Sequence, residues 1–235
     1  MSEKISPRGT EFEQIYRVKT DHETAGKIVE DATTLAGVAI RFAAVKRVPR
    51  YTPETRENDA EHSFMLALVA QDIAATYFPG LNTGLVAQFC IVHDLVELKT
   101  KDVATFGLND ADYKAKQDAE AAALDELCEE LTPHTAWLVR VYEEQKIPEA
   151  RLPRFVDKLL PLLVNIHGTG SQVMHEDYAT FSKEQLIETE SVMARRFESM
   201  FPEPELAPLH LARNALAQKF SEVFKPLPQL QDTLF

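Results

Sequence analysis

The chain has 235 residues, enough for one large helical domain or for one domain with an appendage. Its 25 basic and 37 acidic residues give a formal net charge of −12, which argues against a nucleic-acid polymer or an anionic membrane as the main partner. We expect a cytoplasmic protein, because the sequence has no apolar signal core near its start and no uncharged apolar stretch of about 18 residues. Cys90 and Cys128 lie in apolar contexts that favour buried, reduced thiols over a disulfide framework.

Helical periodicity describes the first hundred residues. Capping-box spacing at 20–23 opens a first run of apolar residues at helical intervals, and Asn58 or Asp59 can cap a second. A third run is apolar nearly all round, which is typical of a central buried helix. The pattern therefore predicts helices over about 21–46, 59–78 and 83–99, with a charged, proline-containing loop at 48–58.

The same signals continue through the rest of the chain. They predict further helices over 112–131, from Pro133 onward, over 148–166, 182–200 and 205–224. Pro161 follows Asp157 by four residues, so a helix that contained both would kink beside that carboxylate. We find no alternating strand pattern longer than four residues and predict an all-α protein. Prolines after residue 200 suggest a division into a domain over 1–200, with an N-terminal extension, and a C-terminal helical arm and proline-containing tail over 201–235.

The most informative motif is the pair His93-Asp94 inside an apolar run, with Glu97 one turn further on. A buried carboxylate beside an imidazole is tolerated when the groups share a cation or a closed hydrogen-bond network. The alternative is a core histidine and an acid satisfied by the backbone. The pair alone does not decide between them.

Four further blocks make the pattern specific. His62 precedes the pair, Asp157 follows it, and the chain resembles the HD-domain metal-dependent phosphohydrolases, whose signature is the order His, His-Asp, Asp. The blocks that carry the resemblance lie around Arg47, 56–63, 93–102, 149–151 and 155–158, and the likeness covers about residues 25–167. They look like the branch that contains the bacterial 5′-deoxynucleotidase YfbR.

The resemblance implies an HD-domain helical bundle with one divalent cation bound by His62, His93, Asp94 and Asp157. Two imidazoles and two carboxylates form a mixed nitrogen and oxygen set that suits Co, Mn, Fe, Ni or Zn, with Mg also open, and the sequence does not select among them. Family likeness also implies a homodimer, for which helices after Leu131 offer apolar faces.

The same resemblance implies roles for residues around the metal. Glu97 would orient or deprotonate the attacking water, or protonate the leaving oxygen, the alternative being a partner that fixes a histidine tautomer. Arg47 would orient the phosphate with its guanidinium fork, the alternative being a surface arginine. Asp102 would contact the sugar, or otherwise cap a loop. Val48 stands where the bacterial nucleotidase commonly has tryptophan, and Thr105 keeps a threonine at a substrate-contacting place.

Three functions remain open on the sequence. The leading hypothesis is release of phosphate from a (deoxy)nucleoside 5′-monophosphate by metal-activated water. A dNTP triphosphohydrolase shares the same ligands but cleaves at the α-phosphate. A non-catalytic interaction scaffold is the third possibility, and the burial of so many ionisable groups weighs against it.

Overall fold

The computed structural model describes residues 21–101 and 106–227. The first half contains helix α1 (His22–Phe42), strands β1 (Lys46–Thr52) and β2 (Thr55–Asn58), and helices α2 (Asp59–Tyr77), α3 (Thr83–Val92) and α4 (Glu97–Thr100). The second half contains α5 (Asp110–Glu129), α6 (Pro133–Glu144), α7 (Pro148–Asp157), α8 (Leu160–His167), α9 (Gly170–Tyr178), α10 (Lys183–Met200), a 3₁₀ turn (Pro204–Leu206) and α11 (Ala207–Val223). The predicted all-α helical fold is confirmed, with one small two-stranded sheet among the described residues.

Side-chain caps begin several helices where the sequence predicted a start. The Asn58 side chain accepts from the Glu61 amide while the Glu61 carboxylate accepts from the Asn58 amide, which forms a complete capping box at α2. Ser182 and Gln185 form the same reciprocal pair at α10. Each box satisfies amide donors that a helix start leaves without intrahelical partners. These two boundaries are therefore encoded locally.

The predicted loop at 48–58 was wrong, because β1 and β2 form an antiparallel hairpin there, which also ends α1 earlier than expected. The hairpin is held by contacts with distant parts of the chain and not by an alternating apolar face. The Thr169 amide donates to the Arg50 carbonyl at 3.3 Å, and a Cβ on Gly168 would lie 2.3 Å from that oxygen. Arg50 and Arg56 both form ion pairs with Asp177 of α9. Tertiary contacts therefore override a weak local strand signal.

Two predicted helices are each divided in two. The helix expected over 83–99 ends at Val92, and a turn with i to i+3 hydrogen bonds separates it from α4. The helix expected over 148–166 breaks after Asp157 and restarts at Leu160, with Pro161 in its first turn, where the missing proline N–H is not needed. Helix α9 was not predicted at all. Both breaks fall beside sequence-predicted metal ligands.

Three apolar clusters around the central helices form the core of the described part of the chain. Helix α3 packs against α2, α6 and α7, and fully buried residues of these helices include Leu66, Val86, Phe89 and Leu152. Cys90 and Cys128 are buried free thiols, as expected. Helix α11 packs against α8 and α10, and Leu209 and Phe220 join the core there. The proposed division at residue 200 stays a prediction. Among the described residues, no helix combines the length and apolarity that crossing a bilayer requires.

Candidate metal centre and adjoining cavity

The four sequence-predicted ligands converge on one point. His62 lies in the first turn of α2, His93 caps the end of α3, Asp94 follows in the turn, and Asp157 is the last residue of α7. One donor atom from each lies within 4.8 Å of every other. His62 Nε2 lies 2.9 Å from Asp157 Oδ1, and His93 Nε2 lies 2.9 Å from Asp94 Oδ2. Side chains from three separate helices thus meet as a compact donor set.

His93 tests whether this set fits a cation. Its Nδ1 lies 2.8 Å from the Cys90 carbonyl oxygen, which can only accept, so Nδ1 carries the ring proton. The Nε2 lone pair then faces the oxygens of Asp94 and Asp157, at 2.9 and 3.9 Å, and Nε2 makes no hydrogen bond within the described part of the chain. Lone pairs that converge in a buried place are favourable when a cation lies between them. The donor set therefore fits a divalent ion, as predicted.

Electrostatics keep both carboxylate ligands ionised. Burial alone would raise the pKa of Asp94, but the adjacent His93 ring and the charge of Arg47 outweigh it and hold that pKa well below its usual range. Burial opposes ionisation of Asp157 as well, and Lys158 and His62 overcome it, so the pKa of Asp157 is also lowered. Ionised carboxylates are the form that binds metal.

His62 behaves differently from these acids. Burial and the charge of Arg47 favour its neutral form, but the carboxylates of Asp157 and Glu57 outweigh both and raise its pKa to about 9. Without a bound metal, a proton on His62 therefore supplies part of the positive charge that a cation would supply. Metal binding has to displace that proton.

Glu57 is a buried partner that the sequence reasoning did not single out. Its Oε2 lies 3.5 Å from His62 Nδ1 and 3.6 Å from Arg47 Nε, and its side chain is only 1% exposed. It therefore holds the His62 imidazole from the side opposite Asp157 and can orient it as a ligand. The signal was its position one residue before the capping box in the block around His62.

Arg47 lies among carboxylates next to the metal ligands. Its Nη1 is 3.0 Å from Asp59, 2.7 Å from Asp94 and 3.6 Å from Glu97. These three acids also have donor atoms within 4.8 Å of one another, and the guanidinium compensates them. With its side chain 11% exposed and facing the cavity, Arg47 is not a surface arginine.

A cavity of about 120 Å³ opens beside the metal ligands, which gives room for a phosphate group and several waters. Glu97 lines it, and Lys116 Nζ donates to Glu97 Oε1 at 3.0 Å and to Glu120 at 2.7 Å. Lys158 and Arg154 add two more cations, paired with Asp157 and Glu143. Lys116 and Arg154 were missed by the sequence reasoning, since one lies in a solvated-looking helix and the other in an amphipathic one.

The remaining predicted substrate residues have different outcomes. The side chain of Val48 packs against the third core cluster, and among the described residues its neighbour Pro49, not Val48, lines the cavity. Asp102 and Thr105 lie outside the described residues. Their predicted substrate contacts, like the roles of Arg47 and Glu97, stay predictions.

This chain belongs to the HD-domain family: the family model described as "HD domain" matches residues 42–200. The match confirms the sequence-based assignment to the HD-domain family, while the YfbR-like branch stays a prediction. No curated protein matches the chain.

Two solved structures share the fold. One is a predicted metal-dependent phosphohydrolase from Magnetospirillum magnetotacticum MS-1, with 21% identity and a TM-score of 0.59, covering 83% of this chain and 96% of that one. The other is the cyanophage S-2L HD phosphohydrolase DatZ, bound to dA and one catalytic Zn²⁺ ion, with 22% identity and a TM-score of 0.50, covering 78% of this chain and 96% of that one.

Proposed function

We propose that this protein is a metal-dependent phosphohydrolase that releases phosphate from (deoxy)nucleoside 5′-monophosphates. The observation that carries the proposal is the convergence of His62, His93, Asp94 and Asp157 beside a cavity that the last three of them and Glu97 line. The fold shared with two phosphohydrolases, one of them bound to dA and Zn²⁺, supports a phosphorylated nucleoside as substrate.

A divalent cation held by those four residues would supply Lewis acidity, lowering the pKa of water and withdrawing charge from the phosphoryl group. The chain's own groups do the rest. Glu97 is 3% exposed and is kept in place by Lys116, so it can accept the proton of an attacking water at Oε1 or Oε2. Arg47 presents a fixed guanidinium next to Asp94, where it can bind phosphate oxygens and hold the phosphorus for attack.

The charge balance of the cavity favours a monophosphate over a triphosphate. Its described lining has five carboxylates and four cationic side chains, so one bound divalent cation would leave a net charge of about +1. Each of the lysines and Arg154 already pairs with a carboxylate. A monophosphate dianion suits this balance, whereas a triphosphate would need more positive charge than the described residues provide.

Product analysis with the purified, metal-loaded protein tests the proposal. We expect orthophosphate from dAMP or another nucleoside 5′-monophosphate in the presence of Co²⁺ or Mn²⁺. Tripolyphosphate from a dNTP would replace the proposal with a triphosphohydrolase, and no turnover across a broad nucleotide panel would favour an interaction scaffold.

The variant Glu97→Gln tests the assigned base. It keeps the shape of the side chain but removes its basicity, so we expect kcat to fall by about 10²- to 10⁴-fold with metal content unchanged. Asp118→Asn, on the exposed face of α5, is the matched control and should behave as wild type. Loss of metal in Glu97→Gln would instead place Glu97 among the ligands.

A cytoplasmic homodimer is part of the same proposal, and sedimentation of the metal-loaded protein measures its mass.

A further inference from the structure

A second, smaller cavity of about 60 Å³ lies directly beside the one at the metal ligands. The two cavities share a wall of five residues, which are Pro49, Phe106, Lys158, Pro161 and Tyr178. The second cavity continues away from the metal between helices α8, α9, α10 and α11. A ligand that fills the first cavity can therefore extend a flat edge into the second.

The far end of the second cavity is lined by polar groups in an otherwise apolar setting. Asn165 and Arg213 are 8% and 3% exposed, and both line this cavity. Asn165 Oδ1 and Arg213 Nε have no hydrogen-bond partner among residues 21–101 and 106–227, although other atoms of Arg213 are bonded to Glu190. A buried acceptor and a buried donor without partners are costly, which indicates a polar ligand at this place.

Helix α8 sets the distance between the predicted metal ligands and Asn165. Lys158 lies just before the helix on the metal side, Pro161 belongs to the shared wall, and Asn165 follows one turn later, about 6 Å further along the axis. Gly170 keeps Asn165 in place, because a Cβ there would lie 2.6 Å from Asn165 Cβ. A phosphate bound at the metal and a polar edge bound at Asn165 would thus belong to one molecule.

The shared wall provides a surface for a flat ring. Phe106 and Tyr178 contact each other edge to face, with ring centroids 4.7 Å apart, and Pro49 and Pro161 add apolar surface beside them. Aromatic side chains of this kind stack on nucleobases without regard to sequence, so discrimination has to come from the polar groups beyond them.

We propose that the second cavity is the base subsite of the proposed nucleotidase and that Asn165 is the residue that selects the base. The base ring lies along the shared wall and its polar edge points to Asn165 and Arg213 Nε. An asparagine amide pairs in bidentate fashion with the amino group and N7 of adenine, so adenine is the expected base. This inference rests on the proposed function.

The test compares kcat/KM for dAMP, dGMP, dCMP and dTMP, and for deoxyribose 5-phosphate, which has no base. We expect wild type to prefer dAMP. Asn165→Ala should lower kcat/KM for dAMP by about 5- to 150-fold and leave the base-free sugar phosphate within about twofold, because a bidentate contact is lost only where a base is present. Leu163→Ala, on the same helix and outside both cavities, is the control and should keep the wild-type preference.

Binding gives a second measurement that does not need turnover. Asn165→Asp keeps the shape of the side chain but removes its donor, so calorimetry should show that this variant binds deoxyadenosine about 5- to 150-fold more weakly than wild type. This measurement remains possible even if Asn165→Ala does not fold. Equal losses for all five substrates, or equal deoxyadenosine affinity in wild type and Asn165→Asp, would overturn the base assignment. Failure of wild type to hydrolyse any monophosphate would overturn the proposed function instead.

Discussion

Two regions of this molecule bury charged side chains, and they differ in whether those charges balance each other. On the C-terminal side Arg213 and Glu190, 3% and 9% exposed, form an ion pair whose charges cancel, and Arg213 Nη1 also donates to the Glu190 carbonyl oxygen. At the predicted metal site, five carboxylates surround two imidazoles, and three cationic side chains lie next to them. The acids are Glu57, Asp59, Asp94, Glu97 and Asp157, and the cations are Arg47, Lys116 and Lys158. The first region is balanced by itself, whereas the second has more acid than base and is completed by a cation. Burial of charge alone therefore does not mark a catalytic site, but burial with an unbalanced sign does.

Removal of a metal ligand should have the largest effect. Asp94→Ala removes one carboxylate from the donor set and leaves Arg47 without its closest partner, so we expect both metal content and activity to be lost. Metal analysis of the purified variant and a phosphate-release assay measure this together. Retention of one bound metal per chain with full turnover would contradict the ligand assignment.

Removal of one member of the Arg213–Glu190 pair should lower stability and leave metal binding unchanged. Glu190→Ala leaves the Arg213 guanidinium buried without its counter-charge, which we expect to lower the free energy of unfolding by about 3–5 kcal/mol. Chemical denaturation measures this loss, and metal content of the folded fraction should match wild type. An equal loss of metal would erase the distinction between the two regions.

Glu57→Gln should weaken metal binding without removing a predicted ligand. Because Glu57 orients His62 without being a ligand, we expect metal affinity to fall by about 10- to 100-fold while the fold is retained. A competition titration with a chelating dye measures the affinity. Glu54→Gln, in the exposed hairpin turn, is the control; an unchanged affinity in Glu57→Gln would show that His62 needs no such partner.

His62 should also give metal binding a pH dependence. Its pKa of about 9 in the folded, metal-free protein lies above the ordinary value of 6.5, so protonation stabilises the metal-free fold fully below about pH 6.5, and this stabilisation is lost as pH rises toward 9. Metal binding displaces the same proton, so its affinity should rise by up to about tenfold per pH unit over that window. The metal-induced increase in Tm should therefore grow between pH 6.5 and 9. A constant increase would show that His62 binds metal without losing a proton.

The sequence was sufficient for features that are written locally. A cap at Asn58 or Asp59 and capping-box spacing at Ser182 predicted two helix starts, and the separated blocks around His62, His93-Asp94 and Asp157 predicted a donor set that the structure brings together. Each of these signals is a short pattern with a local physical meaning.

The features that were missed depend on distant contacts. The β-hairpin has few alternating apolar residues and is held by Gly168 and Asp177, more than a hundred residues away. Lys116 and Asn165 look like an ordinary surface lysine and an ordinary helix-end asparagine until the fold places them at the cavities. No local pattern records which helix faces which cavity, so these residues required the structure.

The break between α7 and α8 gives the site a source of field that no side chain supplies. Asp157 ends α7 and His93 caps α3, so the carboxyl ends of two helices meet next to the donor atoms. Peptide dipoles leave roughly half a negative elementary charge at such an end. The main chain itself therefore attracts positive charge to this point, and every sequence that preserves the two helix ends inherits that attraction whatever acids it carries.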